Sequence, residues 1–170
     1  MKEVRFLGEV VTLSGEFPEV GKKAPNFMLT NVELNELQMK SFEGEKIVLA
    51  ISPSIDTPVC QESVSKFNEL ASKFPNVNMV CVSADLPFAL ERFGKERKLN
   101  DVIMASFFRT ADFASNYGVK IAEGPLSNLS ARAVLVINEH GIVDYAELVE
   151  EITNQPDFGK LLEILEGKKQ

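Results

Sequence analysis

One of the chain's two cysteines, Cys60, stands where two sequence patterns meet. The stretch S-I-D-T-P-V-C-Q-E-S, Ser54 to Ser63, follows the apolar run K-I-V-L-A-I-S and precedes the amphipathic run V-S-K-F-N-E-L-A-S-K-F. Thr57 suits the N-cap of a helix, Pro58 its first position, and Cys60 then falls at the third. A capping box would carry Glu or Gln there. A thiol in that place faces free backbone N–H groups and the positive end of the helix dipole, both of which favour an anion. The chemistry it points to is that of a nucleophilic thiolate. Read as packing alone, Cys60 is a small apolar residue in a first helical turn.

The helix cannot do this by itself. Favouring a thiolate over its thiol by a few hundredfold takes about 3.4 kcal/mol. A helix terminus contributes roughly 0.3–1 kcal/mol and at best about 2. A cation is therefore expected beside Cys60. Lys66 is on the same helix but on another side and too far down; elsewhere the sequence offers Arg92, Arg109 and Arg132. Arg132 opens the apolar strand A-R-A-V-L-V-I, where a charge is costly without a partner. The alternative is a strand-end charge that reaches solvent.

The elements that must position these residues can be read from periodicity. R-F-L-G-E-V-V-T-L reads as two short strands turning at Gly8 and Glu9. K-A-P-N-F-M-L-T-N-V reads as an edge strand entered through a proline. Residues 46–52 form an apolar strand of the kind buried on both faces. Val64, Phe67, Leu70, Ala71 and Phe74 recur at helical spacing, and Pro75-Asn76 ends that helix. Residues 77–83 are a second apolar strand, so strand, helix and strand make a βαβ unit with parallel strands. A short helix around L-P-F-A-L-E-R-F is expected to close at Gly94. A strand at 102–105, a helix near A-D-F-A-S-N-Y-G, a hairpin turning through N-E-H-G and a final helix D-F-G-K-L-L-E-I-L complete the chain. The expectation is one α/β domain over residues 1–170, with a thioredoxin-like fold, a mixed central sheet and an N-terminal β-hairpin.

Composition narrows the function. A chain of 170 residues buries about 70% of its unfolded surface and needs no disulfide or structural metal to hold a core. With 25 acidic against 18 basic residues and a net charge of -7, nucleic acid and anionic membranes are disfavoured as partners. No run approaches the roughly 18 apolar residues of a membrane-spanning helix. The start lacks the long apolar segment of a signal peptide, so a cytoplasmic location is expected. The single histidine, His140, sits in a turn without a second histidine, so neither a metal nor another cofactor is expected.

The motifs G-K-K-A-P-N-F, P-S-I-D-T-P-V-C, S-A-D-L-P-F-A, R-F-G, S-F-F-R, Y-G-V, G-P-L-S-N-L-S-A-R-A-V-L-V-I and L-V-E-E-I-T run essentially from end to end. In them the chain resembles the bacterial thiol peroxidases, a subfamily of the peroxiredoxins. The resemblance implies that Cys60 is the peroxidatic cysteine, with Thr57, Pro53 and Arg132 around it. It implies an in-line attack on a hydroperoxide that leaves a sulfenic acid, reduction by thioredoxin or another external thiol, and a homodimer. It also implies a preference for alkyl over hydrogen peroxide.

One position departs from the family pattern. A resolving cysteine normally follows R-F after S-A-D-L-P-F, and here Gly94 stands there. Cys81 is a poor substitute, since it sits mid-strand in an apolar run. Helix and strand geometry put Cys60 about 21 Å and Cys81 about 13 Å from their shared turn. With layers about 10 Å apart, the Cα separation is roughly 13 Å, against a disulfide limit near 7 Å. Reduction by an external thiol is therefore expected. A peroxide sensor or relay, which passes oxidation of Cys60 to a partner protein, shares the first step. A dithiol oxidoreductase would need C-x-x-C, which V-C-Q-E-S does not supply. A catalytically dead module is disfavoured by the presence of Thr57, Cys60 and Arg132 together.

Overall fold

The chain enters through a hairpin of β1 (Glu3–Phe6) and β2 (Glu9–Ser14). Its turn lies one residue earlier than expected: Phe6 pairs with Glu9, and Leu7 and Gly8 form the corner with φ of 52° and 85°. Two-residue hairpin loops take positive φ at both positions, because that backbone twist matches the twist of the strands. Leu7 accepts the strained conformation with its side chain in solvent. The computed structural model describes residues 2–167, so the ends of the expected 1–170 domain lie outside the described residues.

Two strands follow, β3 (Met28–Asn31) and β4 (Glu36–Gln38). β3 is not the edge strand the sequence suggested. The Asn31 carboxamide accepts from the Glu33 and Asn35 amides and turns the chain back, so that β4 covers β3 from outside. The βαβ unit comes next, as β5 (Lys46–Ile51), α1 (Pro58–Lys73) and β6 (Val77–Ser83). β5 and β6 are parallel, with Ala50 beside Cys81. Then come α2 (Pro87–Glu96), β7 (Ile103–Ser106), the short α3 (Phe113–Asn116) and β8 (Lys120–Ile121), a two-residue strand the periodicity did not reveal. β9 (Ala133–Ile137), β10 (Val143–Leu148) and α4 (Phe158–Leu165) close the described chain.

The strands form a seven-stranded mixed sheet, order β10-β9-β5-β6-β7-β3-β4, and a smaller sheet β1-β2-β8. Alternation along β5 divides the core. Ile47, Leu49 and Ile51 pack with Leu13, Ile121 and Phe113 on the small-sheet side. Val48 and Ala50 pack with Val64 and Phe67 of α1, Leu90 of α2 and Leu161 of α4 on the other. The pairing of β9 decides which residues can meet at the end of β5. β9 runs antiparallel to β5 with Ala133 beside Ile51. The start of β9 therefore lies at the sheet edge where β5 ends and α1 begins.

Gly94 does not close α2, contrary to the expectation from its residue type. The helix runs on to Glu96, and Lys98, at φ 55°, takes the left-handed conformation instead. Glu91–Lys95 and Arg92–Glu96 pairs at i,i+4, each 3.1 Å, bracket the glycine and carry the helix through it. A Cβ at position 94 would meet no atom within 4 Å. Nothing local requires glycine there. Gly94→Ala is expected to raise stability by about 0.5–1 kcal/mol, since alanine loses less backbone freedom in a helix. Urea denaturation of the two proteins checks this, and a less stable variant would contradict the helical placement.

Candidate active site

The turn between β5 and α1 is fixed from β6. The Asp85 carboxylate, just beyond β6, accepts from Ser54 Oγ (2.8 Å), the Ile55 amide (2.8 Å) and Ser83 Oγ (2.6 Å). Pro53 and Ile55 are buried in this loop. Thr57 then caps α1 as its sequence suggested: its Oγ1 accepts from the Cys60 amide at 3.3 Å. The same hydroxyl donates to the Ser54 carbonyl at 3.1 Å. Its proton is thereby committed, and its oxygen faces the first turn as an acceptor.

Cys60 has no exposed surface and Arg132 has 3%. The Arg132 Nη2 donates to Cys60 Sγ at 3.2 Å, and its Nε donates to the Ile152 carbonyl at 2.9 Å. The strand-end arginine thus turns inward rather than to solvent. The other two candidate cations are elsewhere. Arg92 is half-exposed and pairs with Glu96 and Asp56, while Arg109 lies over the Phe108 ring. A unit positive charge 3.2 Å away attracts a thiolate by about 5 kcal/mol at an effective dielectric constant near 20, before the desolvation of either group is subtracted.

Thr57, Cys60 and Arg132 are therefore brought together, with Pro53 buried in the adjoining loop. Gly94 lies within α2, which is tied to α1 by Arg97 Nη2 donating to Gln61 Oε1 at 2.9 Å. Cys81 belongs to the layer beneath α1, 4% exposed, and burial pushes its thiol up to about 12. Both cysteines are free thiols. A cavity of about 10 Å³, lined by Ser63, Val64, Phe67, Cys81 and Arg132 among others, lies under the site. Among the described residues no group of three or more His, Cys, Asp or Glu could hold a metal ion.

Two participants were not singled out in the sequence. Asp85 stands in the quoted S-A-D-L-P-F motif, yet its part in holding Ser54 and Ile55 needs the fold to be seen. The Ile152 carbonyl is a main-chain group and leaves no mark in residue type. Next to it, the Glu151 carboxylate accepts from the Thr153 amide (3.0 Å) and hydroxyl (2.8 Å), the Gly8 amide (2.8 Å) and the Leu7 amide (3.3 Å). These bonds, that of the Thr153 amide foremost, hold its carboxyl down at about 2 from the ordinary 4.5.

Comparison with known proteins shows the family and the fold. The family model described as Redoxin matches residues 19–163. The chain is 46% identical over 159 residues to a thiol peroxidase of Vibrio cholerae, covering 94% of this chain and 97% of the relative. It is 43% identical over 165 residues to a thiol peroxidase of Corynebacterium glutamicum, covering 97% and 99%. The crystal structure of a peroxiredoxin-like protein from Aquifex aeolicus superposes with a TM-score of 0.93 at 36% identity, covering 98% and 97% of the two chains. Thiol peroxidase from Chromobacterium violaceum gives 0.90 at 24% identity, covering 97% and 95%, a likeness of fold. The thioredoxin-like arrangement expected from the sequence is the one present.

The depressed Glu151 carboxyl makes a prediction about acid stability. Its folded value lies below its unfolded one, so its contribution is complete above pH 4.5 and is lost as pH falls towards about 2. Glu151→Gln should flatten the decline in stability across that window, read by urea denaturation at a series of pH values. Identical slopes for wild type and variant would contradict the assignment.

Proposed function

The chain belongs to the Redoxin family and, within the peroxiredoxins, to the thiol peroxidases, and from that premise we infer that its peroxide chemistry runs through Cys60 alone. It is an oxidoreductase that reduces peroxide at the expense of a thiol. The observation that carries the assignment of Cys60 is the 3.2 Å contact of its sulfur with the buried Arg132 guanidinium.

In this reading the Cys60 thiolate attacks one oxygen of a hydroperoxide in line with the O–O bond. The S–O bond forms as the O–O bond breaks, sulfur gives up two electrons, and the departing oxygen takes a proton to leave as water or an alcohol. Arg132 has five N–H donors, of which Ile152 and Cys60 engage two. The others are available to the departing oxygen, where negative charge develops. Thr57 has already donated its proton to Ser54, so its oxygen is suited to accept the hydroperoxide O–H and orient it. Pro53 shields the sulfur from water.

Return to the thiol then falls to an outside reductant, because Gly94 stands where the family's resolving cysteine is expected and Cys81 is buried mid-strand. One external thiol, from thioredoxin or another donor, condenses with the sulfenic acid to a mixed disulfide and water. A second thiol releases Cys60 and leaves as the external disulfide. The reading includes a homodimer and a cytoplasmic location, as the family resemblance implies. Among the described residues no helix is long and apolar enough to cross a membrane.

Steady-state consumption of cumene hydroperoxide with dithiothreitol as the reductant tests the reading. Cys60→Ser should abolish turnover, and Cys81→Ser should leave it within about twofold of wild type, as expected of a packing residue. Arg132→Lys should lower it by about 10²–10³, the usual loss when a donor to developing charge is misplaced. Loss of turnover in Cys81→Ser would overturn the one-cysteine cycle. A lasting mixed disulfide with one protein, and no multiple turnover with small thiols, would mark a relay instead.

A further inference from the structure

The two groups that meet at the site arrive from different parts of the fold, yet both are tied to the same short stretch of chain. At one end of it, the Ile152 carbonyl receives the Arg132 Nε (2.9 Å) and fixes the direction of the guanidinium. The Ile152 amide donates to the Arg5 carbonyl of β1 (2.8 Å), and the Arg5 amide donates to the Glu150 carbonyl (2.6 Å). The Glu151 carboxylate then takes both amides of the hairpin corner, Leu7 and Gly8. The N-terminal hairpin is so fastened to the segment that carries the Arg132 partner.

At the other end the stretch is fastened to the first turns of α1. Gln155 Nε2 donates to the Val59 carbonyl (3.3 Å) and to Glu62 Oε2 (3.2 Å). The buried Ser63 hydroxyl lies 2.5 Å from Gln155 Oε1 and 2.9 Å from the Val59 carbonyl, and its one proton serves these two acceptors. Val59 immediately precedes Cys60. A carboxamide that donates to one side of the cysteine and accepts from the other holds that turn with both of its polar atoms.

We propose that residues 151–155 set the separation between the Arg132 guanidinium and the Cys60 sulfur, with Glu151 and Gln155 as positioning residues at the two ends. Neither touches the sulfur, and each acts through another group: Glu151 through the hairpin and the Ile152 carbonyl, Gln155 through Val59 and Ser63. Hydrogen-bonding groups aimed at developing charge lose most of their effect when displaced by about 1 Å. The motif L-V-E-E-I-T, which the peroxide chemistry does not otherwise use, gains a part here, because it supplies both Glu151 and Ile152. The inference rests on the reading of Cys60 as the peroxide-reactive thiol.

The test is a single-turnover measurement of Cys60 oxidation by cumene hydroperoxide, followed by quenched intact mass on the full-length protein. Glu151→Ala and Gln155→Ala are each made with Arg132 present and again with Arg132→Lys. Val102→Ala, just before β7 and away from the site, serves as a comparably destabilised control. Each positioning variant should slow oxidation about tenfold when Arg132 is present and less than about twofold when it is lysine, because the two changes act on one interaction. The control should change the rate less than about twofold in both backgrounds. An unchanged rate in the positioning variants, or the same slowing in both backgrounds, overturns the inference. Oxidation in wild type that slows with Arg132→Lys, but not with the positioning variants, removes the inference and leaves the peroxidase reading standing. Failure of Cys60 to oxidise in wild type removes both.

Discussion

A guanidinium without solvent needs partners, and the site of this chain is organised by that requirement. Arg132 is 3% exposed at the head of an apolar strand. An isolated charge in such a place is strongly destabilising, whereas one held by good hydrogen bonds is tolerated. Its partners are a main-chain carbonyl, Ile152, and a sulfur, Cys60. The carbonyl carries only a partial negative charge. The sulfur of Cys60, itself without exposed surface, lies 3.2 Å from Nη2, so the guanidinium and the sulfur are held as one buried unit.

The sheet topology makes the encounter possible. A parallel β5–β6 pair crossed by α1 puts the helix start at the strand ends, the edge where α/β folds gather ligands. Antiparallel pairing of β9 with β5 brings the residue before Ala133 to that same edge. Thr57 finishes the arrangement by capping α1 with an oxygen whose proton is already directed at Ser54. From Asp85 on one side and residues 151–155 on the other, side chains from distant parts of the chain converge on the loop and the first turns of α1.

Much of this was legible beforehand, for reasons that can be named. The cap, proline and thiol at 57, 58 and 60 are local chemistry, and local chemistry is written in residue type. The β6 span matched residue for residue because a run buried on both faces has sharp ends. Arg132 stood out because a charge at the head of an apolar strand demands explanation, although the pattern could not tell an inward side chain from an outward one. What escaped was set by contacts far along the chain. β8 is two residues long and exists through its pairing with β2. β4 depends on a turn made by the Asn31 side chain. Gly94 carried an ordinary helix-stop signal, but flanking i,i+4 ion pairs carry the helix past it. The Ile152 carbonyl has no signature at all.

The most direct test of a one-cysteine cycle is intact-mass analysis after one equivalent of cumene hydroperoxide, with a sulfenic-acid trap present and no reductant. The predicted result is a single trapped adduct on Cys60, with Cys81 recovered as a free thiol. A Cys60–Cys81 disulfide with no adduct would contradict it. The helix start and the buried strand would then have to bring the two cysteines within the disulfide limit near 7 Å.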